Sequence, residues 1–159
     1  MGRYFYDKKS TVNEYKSISV KKLKAWDYFA QGYKCGTLTW SSGGAQVGSI
    51  GISVYISGRE GFMRLNYVCD KTDSLDYKVQ LVSTPCHFGG FRWWFICPLS
   101  RRGIHCGRRV GVLYLSKYAG CRDCYDLTYQ TCQDSHKWDA LAKSMGFSSD
   151  KYLKRVFKW

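Results

Sequence analysis

The chain has 159 residues, 45% of them hydrophobic and 17% aromatic, with two prolines; this bounds it to one compact domain with at most a small appended module and excludes a long disordered tail. Twenty-five Lys+Arg against twelve Asp+Glu give a net charge of +13, which repels itself unless a polyanion uses it, so binding to a polyacid leads the function classes. No window approaches the roughly 18 apolar residues of a membrane span, and the first ten residues lack the apolar core of a signal peptide, so a cytoplasmic protein is expected.

The first predicted element is a helix over Ser17 to Ala30, with Ser17 or Ser19 as cap, Val20, Leu23 and Trp26 as the apolar stripe, and Lys21, Lys22 and Lys24 on a solvated face. From Cys35 to Thr84 the period changes to two. Ile50, Ile52, Val54 and Ile56 alternate with small or polar residues, as do Met63, Leu65, Tyr67 and Cys69, and then Tyr77, Val79 and Leu81. Turn-rich connections at 57–61 and 70–76 are short enough for hairpins, so these strands read as an antiparallel meander, joined by an earlier strand at Thr37–Trp40 through the turn at 41–44. Cys35 and Cys69, alone on these strands, read as packing residues.

Near Pro85 the composition shifts to an aromatic run, Cys86-His-Phe-Gly-Gly-Phe-Arg-Trp-Trp-Phe-Ile-Cys97, then a Cys/Arg/Gly stretch to Cys124, then a basic tail helical over at least Asp134 to Met145. The expected fold class is therefore α+β: an N-terminal helix and antiparallel β meander in 1–85, a zinc ribbon in 86–130, and a basic C-terminal helix in 131–159.

Eight cysteines without an export signal point to thiolate–metal chemistry before disulfides. Cys121-Arg-Asp-Cys124 has the C-x2-C spacing that turns two thiolates toward one ion, and Zn²⁺ takes four such ligands in a tetrahedron. Cys97 and Cys106 supply the other pair, with a strand at Val110–Leu115 between the two halves, so the expected cofactor is Zn²⁺ on Cys97, Cys106, Cys121 and Cys124. Eight residues separate Cys97 from Cys106 where two to four are usual, so Pro98 to His105 must loop out. A rival set pairs Cys121 and Cys124 with Cys132 and His136, four apart and so on one side of a helix. His87 and His105 stand in reserve beside Cys86 and Cys106, and Cys86 itself reads as structural.

The run Thr84 to Pro98, then Cys106-Gly-Arg-Arg-Val110 with Leu113-Tyr-Leu115, then Cys121-Arg-Asp-Cys-Tyr-Asp-Leu-Thr-Tyr129, resembles an uncharacterised family of small bacterial zinc-ribbon-like proteins. Ser17–Leu23 and Val47–Ile52 extend the likeness over most of residues 1–136. The resemblance implies the zinc site and brings no established activity. Family members have a compact first knuckle, so Leu99–His105 looks like an insertion, and their Ser before Gln where this chain has Gln130-Thr-Cys-Gln133 argues against Cys132 as a ligand.

Between Cys97 and Cys124 lie Arg101, Arg102, Arg108, Arg109, Lys117 and Arg122 against Asp123 alone, with Tyr114, Tyr118 and Tyr125 interleaved among them. Arginine's planar fork suits phosphate oxygens and stacks on bases, so this knuckle, with Lys154 and Arg155 of the tail, is the expected DNA- or RNA-binding surface. The alternative is a protein-interaction module, an adaptor or inhibitor carried by a phage or mobile element and docking on a host nucleoprotein complex. No H-E-x-x-H, Walker A or G-x-S-x-G motif is present, and four cysteines close a zinc shell to water, so enzyme activity is not expected; a nuclease built from remote Asp and His is the least poor version.

Overall fold

Ile50, Ile52, Val54 and Ile56 are all buried while Ser49, Tyr55 and Ser57 are exposed, the outcome that period-two alternation dictates for a strand with one face on a core. The computed structural model describes residues 9–69 and 73–132, which fall into two units: the described residues of Tyr15–Tyr125, and residues 9–14 with 126–132.

In the first unit the elements run β1 (Lys16–Ser19), α1 (Val20–Ala25), β2 (Gly32–Ser42), β3 (Ala45–Ser57), β4 (Glu60–Cys69), β5 (Asp73–Pro85), β6 (Phe91–Ile96), β7 (Ser100–Arg101), β8 (Ile104–His105), β9 (Arg109–Val110), β10 (Val112–Leu115) and β11 (Ala119–Gly120). A six-stranded antiparallel sheet has the order β2-β3-β4-β5-β6-β9; β1-β10-β11 form a second sheet and β7-β8 a small hairpin. Gly43 and Gly44, both at positive φ, make the two-residue β2–β3 turn, and Gly58-Arg59 makes the β3–β4 turn. Registers are thereby fixed: Ile52 lies opposite Leu65, Leu65 opposite Tyr77, and Leu81 opposite Phe95.

The inner face of the six-stranded sheet carries Ile52, Val54, Met63, Leu65, Val79, Leu81 and Phe95, packed in one cluster with Leu23 of α1, Ile18 of β1 and Leu113 of β10. Phe29 stacks on Trp93 with ring centroids 5.2 Å apart. The other face, lined by residues such as Tyr33, Arg64 and Lys78, is turned to solvent.

The architecture corrects the expected α+β class: the protein is mostly β. Ser17 to Ser19, expected to open a helix, instead lie in β1 and pair with β10, Ile18 lying opposite Leu113. Only six residues then form α1, capped by the Ser19 side chain, which accepts from the Lys22 N–H at 3.2 Å. A Schellman motif ends it at Asp27, which sits at φ 58 while the Tyr28 N–H reaches the Leu23 carbonyl and the Asp27 N–H the Lys24 carbonyl. Leu23 is buried as expected, but Trp26 lies past the helix end and is half exposed, its place in the core taken by Tyr28. The single strand expected at Val110–Leu115 breaks at Gly111 into β9 and β10, which join different sheets. The expected basic C-terminal helix, with Lys154 and Arg155, lies outside the described residues.

In the second unit a 3-10 helix at Val12–Glu14 is boxed by Thr11, whose hydroxyl and N–H both donate to the Glu14 carboxylate. Thr11 bridges Thr128 in parallel, and Lys9 pairs with Asp126 at 2.9 Å. Among the described residues no helix is long and apolar enough to cross a membrane.

Candidate metal centre

Strand β6 delivers the first ligand. Trp93, Phe95 and Cys97 continue one inward-facing series, so the Cys97 thiol emerges on the core side and is fully buried. The eight residues that follow do loop out, in an ordered way: Ser100 lies opposite His105 and Arg101 opposite Ile104, with Arg102 and Gly103 at the tip, both at positive φ (52 and 79) as a type I′ turn requires. The Cys106 N–H bonds the Leu99 carbonyl at 2.8 Å, the Gly107 N–H the Cys97 carbonyl at 3.3 Å, and the Cys97 N–H the Arg108 carbonyl at 2.9 Å. The hairpin thus closes on itself and returns Cys106 to Cys97, which removes the objection that their spacing raises.

The second pair is delivered by β11. Gly120 is packed so closely that a Cβ there would lie 2.2 Å from Leu99 Cδ1 and 2.8 Å from Tyr125 Cε2, so the two knuckles meet there and any larger residue would have to displace these side chains. A group of phenols pins this segment to the main sheet. Tyr67 donates to the Lys117 carbonyl at 2.5 Å and lies 3.0 Å from the Tyr77 hydroxyl, which accepts from the Ala119 N–H at 2.6 Å; Tyr125 donates to the Tyr118 carbonyl at 2.5 Å. Burial raises Tyr67 and Tyr77 above the ordinary phenol value of 10.0, and it is the main cause pushing Tyr125 up to about 12.

A phenol that resists ionisation in the folded state contributes stability below pH 10, and that contribution is lost as pH rises through the raised value. We therefore expect stability to fall between about pH 10 and 12, with Tyr67, Tyr77 and Tyr125 ionising late and together with loss of structure. Absorbance titration of phenolate alongside circular dichroism checks this; full ionisation of all thirteen tyrosines near pH 10 with the fold intact would refute it.

The four sulfurs converge. Cys97, Cys106, Cys121 and Cys124 place their Sγ atoms within 4.8 Å of one another, with Cys97–Cys124 and Cys106–Cys121 both at 3.8 Å. At 3.8 Å no disulfide is present. Backbone N–H groups aim at the sulfurs: Cys121 N–H at Cys97 Sγ (3.3 Å) and Cys124 N–H at Cys121 Sγ (3.4 Å). Burial raises the Cys97 and Cys124 thiols, which their thiol neighbours reinforce; Cys106 is pushed up by burial too, but the Arg108 backbone N–H and the surrounding thiols outweigh it and leave Cys106 lowered. Four thiolates this close cannot all carry charge unless a cation sits among them, so the cluster could hold a metal ion. No fifth ligand is part of the group among the described residues: His105 is exposed in the hairpin, His87 and Cys86 in the β5–β6 turn, and Cys132 is exposed, while His136 lies outside the described residues. Cys35, expected to pack, is exposed on β2, where its strand position points it off the core; Cys69 is half-buried.

The basic residues are brought around one carboxylate. Asp123, between the second pair of cysteines, accepts from Arg108 Nη1 and from Arg122 Nη2 (3.4 Å), and its backbone carbonyl accepts from Arg101 Nη1 at 3.3 Å. With Arg101, Ile104, His105, Cys106, Arg108 and Cys124, Asp123 lines an open depression beside the cluster. Arg102 is exposed at the hairpin tip and Arg109 on β9. Lys117 is drawn away, pairing with Asp73 at 2.7 Å. Sequence reasoning did not anticipate Asp73, Tyr67 or Tyr77 as supports of this region, because each comes from a strand far off in sequence. Comparison with family models, curated proteins and solved structures finds no match to this chain.

Proposed function

We propose that the protein is a zinc-ribbon nucleic-acid-binding protein whose metal-fixed knuckles present arginines to phosphates. The supporting observation is the four-sulfur cluster: Zn–S bonds of about 2.3 Å in a tetrahedron require sulfur–sulfur edges of about 3.8 Å, the separation that two of the pairs already have. A shell of four thiolates is closed, which suits a structural role and leaves no open position for an activated water. What the ion organises is charge. Arg101, Arg102, Arg108, Arg109 and Arg122 exceed the one acidic residue among them, and their exposed ion pairs are weak enough to exchange for phosphate contacts.

The test compares two variants that each remove two positive charges. Arg101→Ala with Arg102→Ala strips the hairpin; Lys21→Ala with Lys22→Ala strips the exposed side of α1. Affinity for a short duplex or single strand should fall about tenfold or more in the first and under threefold in the second, and the salt dependence should flatten by about 0.7 to 0.9 log units for each phosphate that is no longer neutralised. Equal weakening in both would mean attraction by net charge alone and would refute the ribbon as the binding surface.

A further inference from the structure

The solvent-facing side of the six-stranded sheet is polar in most rows, with Thr37, Arg64 and Asn66 among its exposed positions. One row differs. The registers align Tyr33 with Tyr55, Tyr55 with Phe62, Phe62 with Gln80, and, on the next two strands, Ile96 with Arg109. Tyr33 is 67% exposed and Tyr55 42%, and the Tyr55 and Phe62 rings lie 5.5 Å apart. Cross-strand pairing accounts for rings that touch. It does not account for leaving Tyr33 two-thirds in water at the edge strand.

Cations already sit over rings on this side: Lys78 Nζ is 4.5 Å from the Phe62 centroid and the Arg92 guanidinium 5.0 Å from that of Trp94. Beside the row, Gly51 and Ser53 leave a shallow depression edged by Arg64 and Asn66. Strands lie about 4.8 Å apart, so the row from Tyr33 to Arg109 spans about 24 Å and ends beside the arginine-bearing knuckle.

We propose that this row is a stacking platform for a single-stranded nucleic acid, with bases laid on Tyr33, Tyr55 and Phe62 and the strand's phosphates led toward Arg109. The proposal rests on the nucleic-acid reading above and narrows it to single strands. Aromatic faces on an open sheet engage bases whose own faces are free, and bases inside a duplex are already stacked. Charge complementarity selects this occupant: Lys78 lies over the Phe62 ring and Arg109 ends the row, on a chain of net charge +13.

The experiment measures fluorescence anisotropy of labelled dT12, U12 and a twelve-base-pair duplex against the full chain, the Tyr33→Ala with Tyr55→Ala variant, the Tyr33→Phe with Tyr55→Phe variant, and Arg101→Ala with Arg102→Ala. Removing two rings should weaken dT12 and U12 at least about 25-fold, since each stacked base contributes about fivefold or more. Duplex affinity and the salt slope should stay within twofold, and the phenylalanine pair, which keeps the rings, should bind like the parent. Unchanged single-strand affinity in the alanine pair, or an equal weakening for the duplex, would overturn the platform. Should the hairpin arginine variant lose binding while the ring variants do not, the platform falls and the ribbon reading stands; the reverse pattern removes the ribbon and keeps the platform. Tyr33→Ala alone, at the most exposed ring, decides the case if the double alanine variant does not fold.

Discussion

Purified without chelator, the protein should carry one Zn²⁺ per chain, and Cys106→Ser and Cys121→Ser should each abolish it. The ligands come from three different pieces of backbone: the end of β6, the return of the β7–β8 hairpin, and the turn after β11. No two therefore hold the ion as a local chelate except Cys121 and Cys124, and removing one member of either pair leaves an incomplete shell. Because the ligands must be deprotonated and gathered, metal binding is also folding free energy; at a thousandfold excess of free zinc over its dissociation constant it adds about 4 kcal/mol. Chelation should release protection against hydrogen exchange in 97–125 and leave it in 50–82, where Ile52, Val54, Met63, Leu65, Val79 and Leu81 are buried without help from any cysteine. Substoichiometric zinc, or a Cys106→Ser variant that keeps its metal while Cys132→Ser loses it, would refute this ligand set.

Much of the sheet can be read from the sequence because its signal is local. Alternation at 50–56, 63–69 and 77–81 needs no partner to be recognised, and the strands are there, each longer than its alternating run. The helix is misread for the converse reason. Leu23 has its helical neighbours, but whether residues 16–19 are helix or strand depends on β10, nearly a hundred residues away, and the Asp27 stop is an aspartate in a conformation more often filled by glycine. At the candidate site, C-x2-C spacing exposes one half of the cluster, while the other half becomes intelligible only when Arg102-Gly103 is seen as a hairpin turn. The row Tyr33, Tyr55, Phe62 is illegible without register. Each ring is one alternating residue of its own strand, and a shift of one residue in either hairpin would scatter them to opposite faces.

The greatest destabilisation is expected at Phe95. It is fully buried, lies opposite Leu81 on one side and Val110 on the other, and thereby ties the sheet's core to the β9 strand that returns from the first knuckle. Replacing it with alanine removes the transfer free energy of the ring and leaves a cavity that neighbouring strands cannot close, a cost of about 3–5 kcal/mol. Against a typical total of about 5–15 kcal/mol, this approaches the margin of the whole fold. Phe91 is the internal control: same strand, same side, four residues earlier, yet 46% exposed with the Arg59 guanidinium over its ring at 4.8 Å. Phe91→Ala should cost about 0.5–1 kcal/mol, the worth of an exposed cation–π contact. Urea denaturation with zinc in excess measures both. Phe95→Ala should also weaken zinc binding without touching a ligand, because Cys97 is the next inward-facing residue after it and its placement depends on the seat of β6 in the core. A Phe95→Ala protein as stable as Phe91→Ala would mean that β6 is not seated on the sheet in this way, and unchanged zinc affinity in a destabilised Phe95→Ala protein would mean that the four cysteines form a site energetically separate from the sheet.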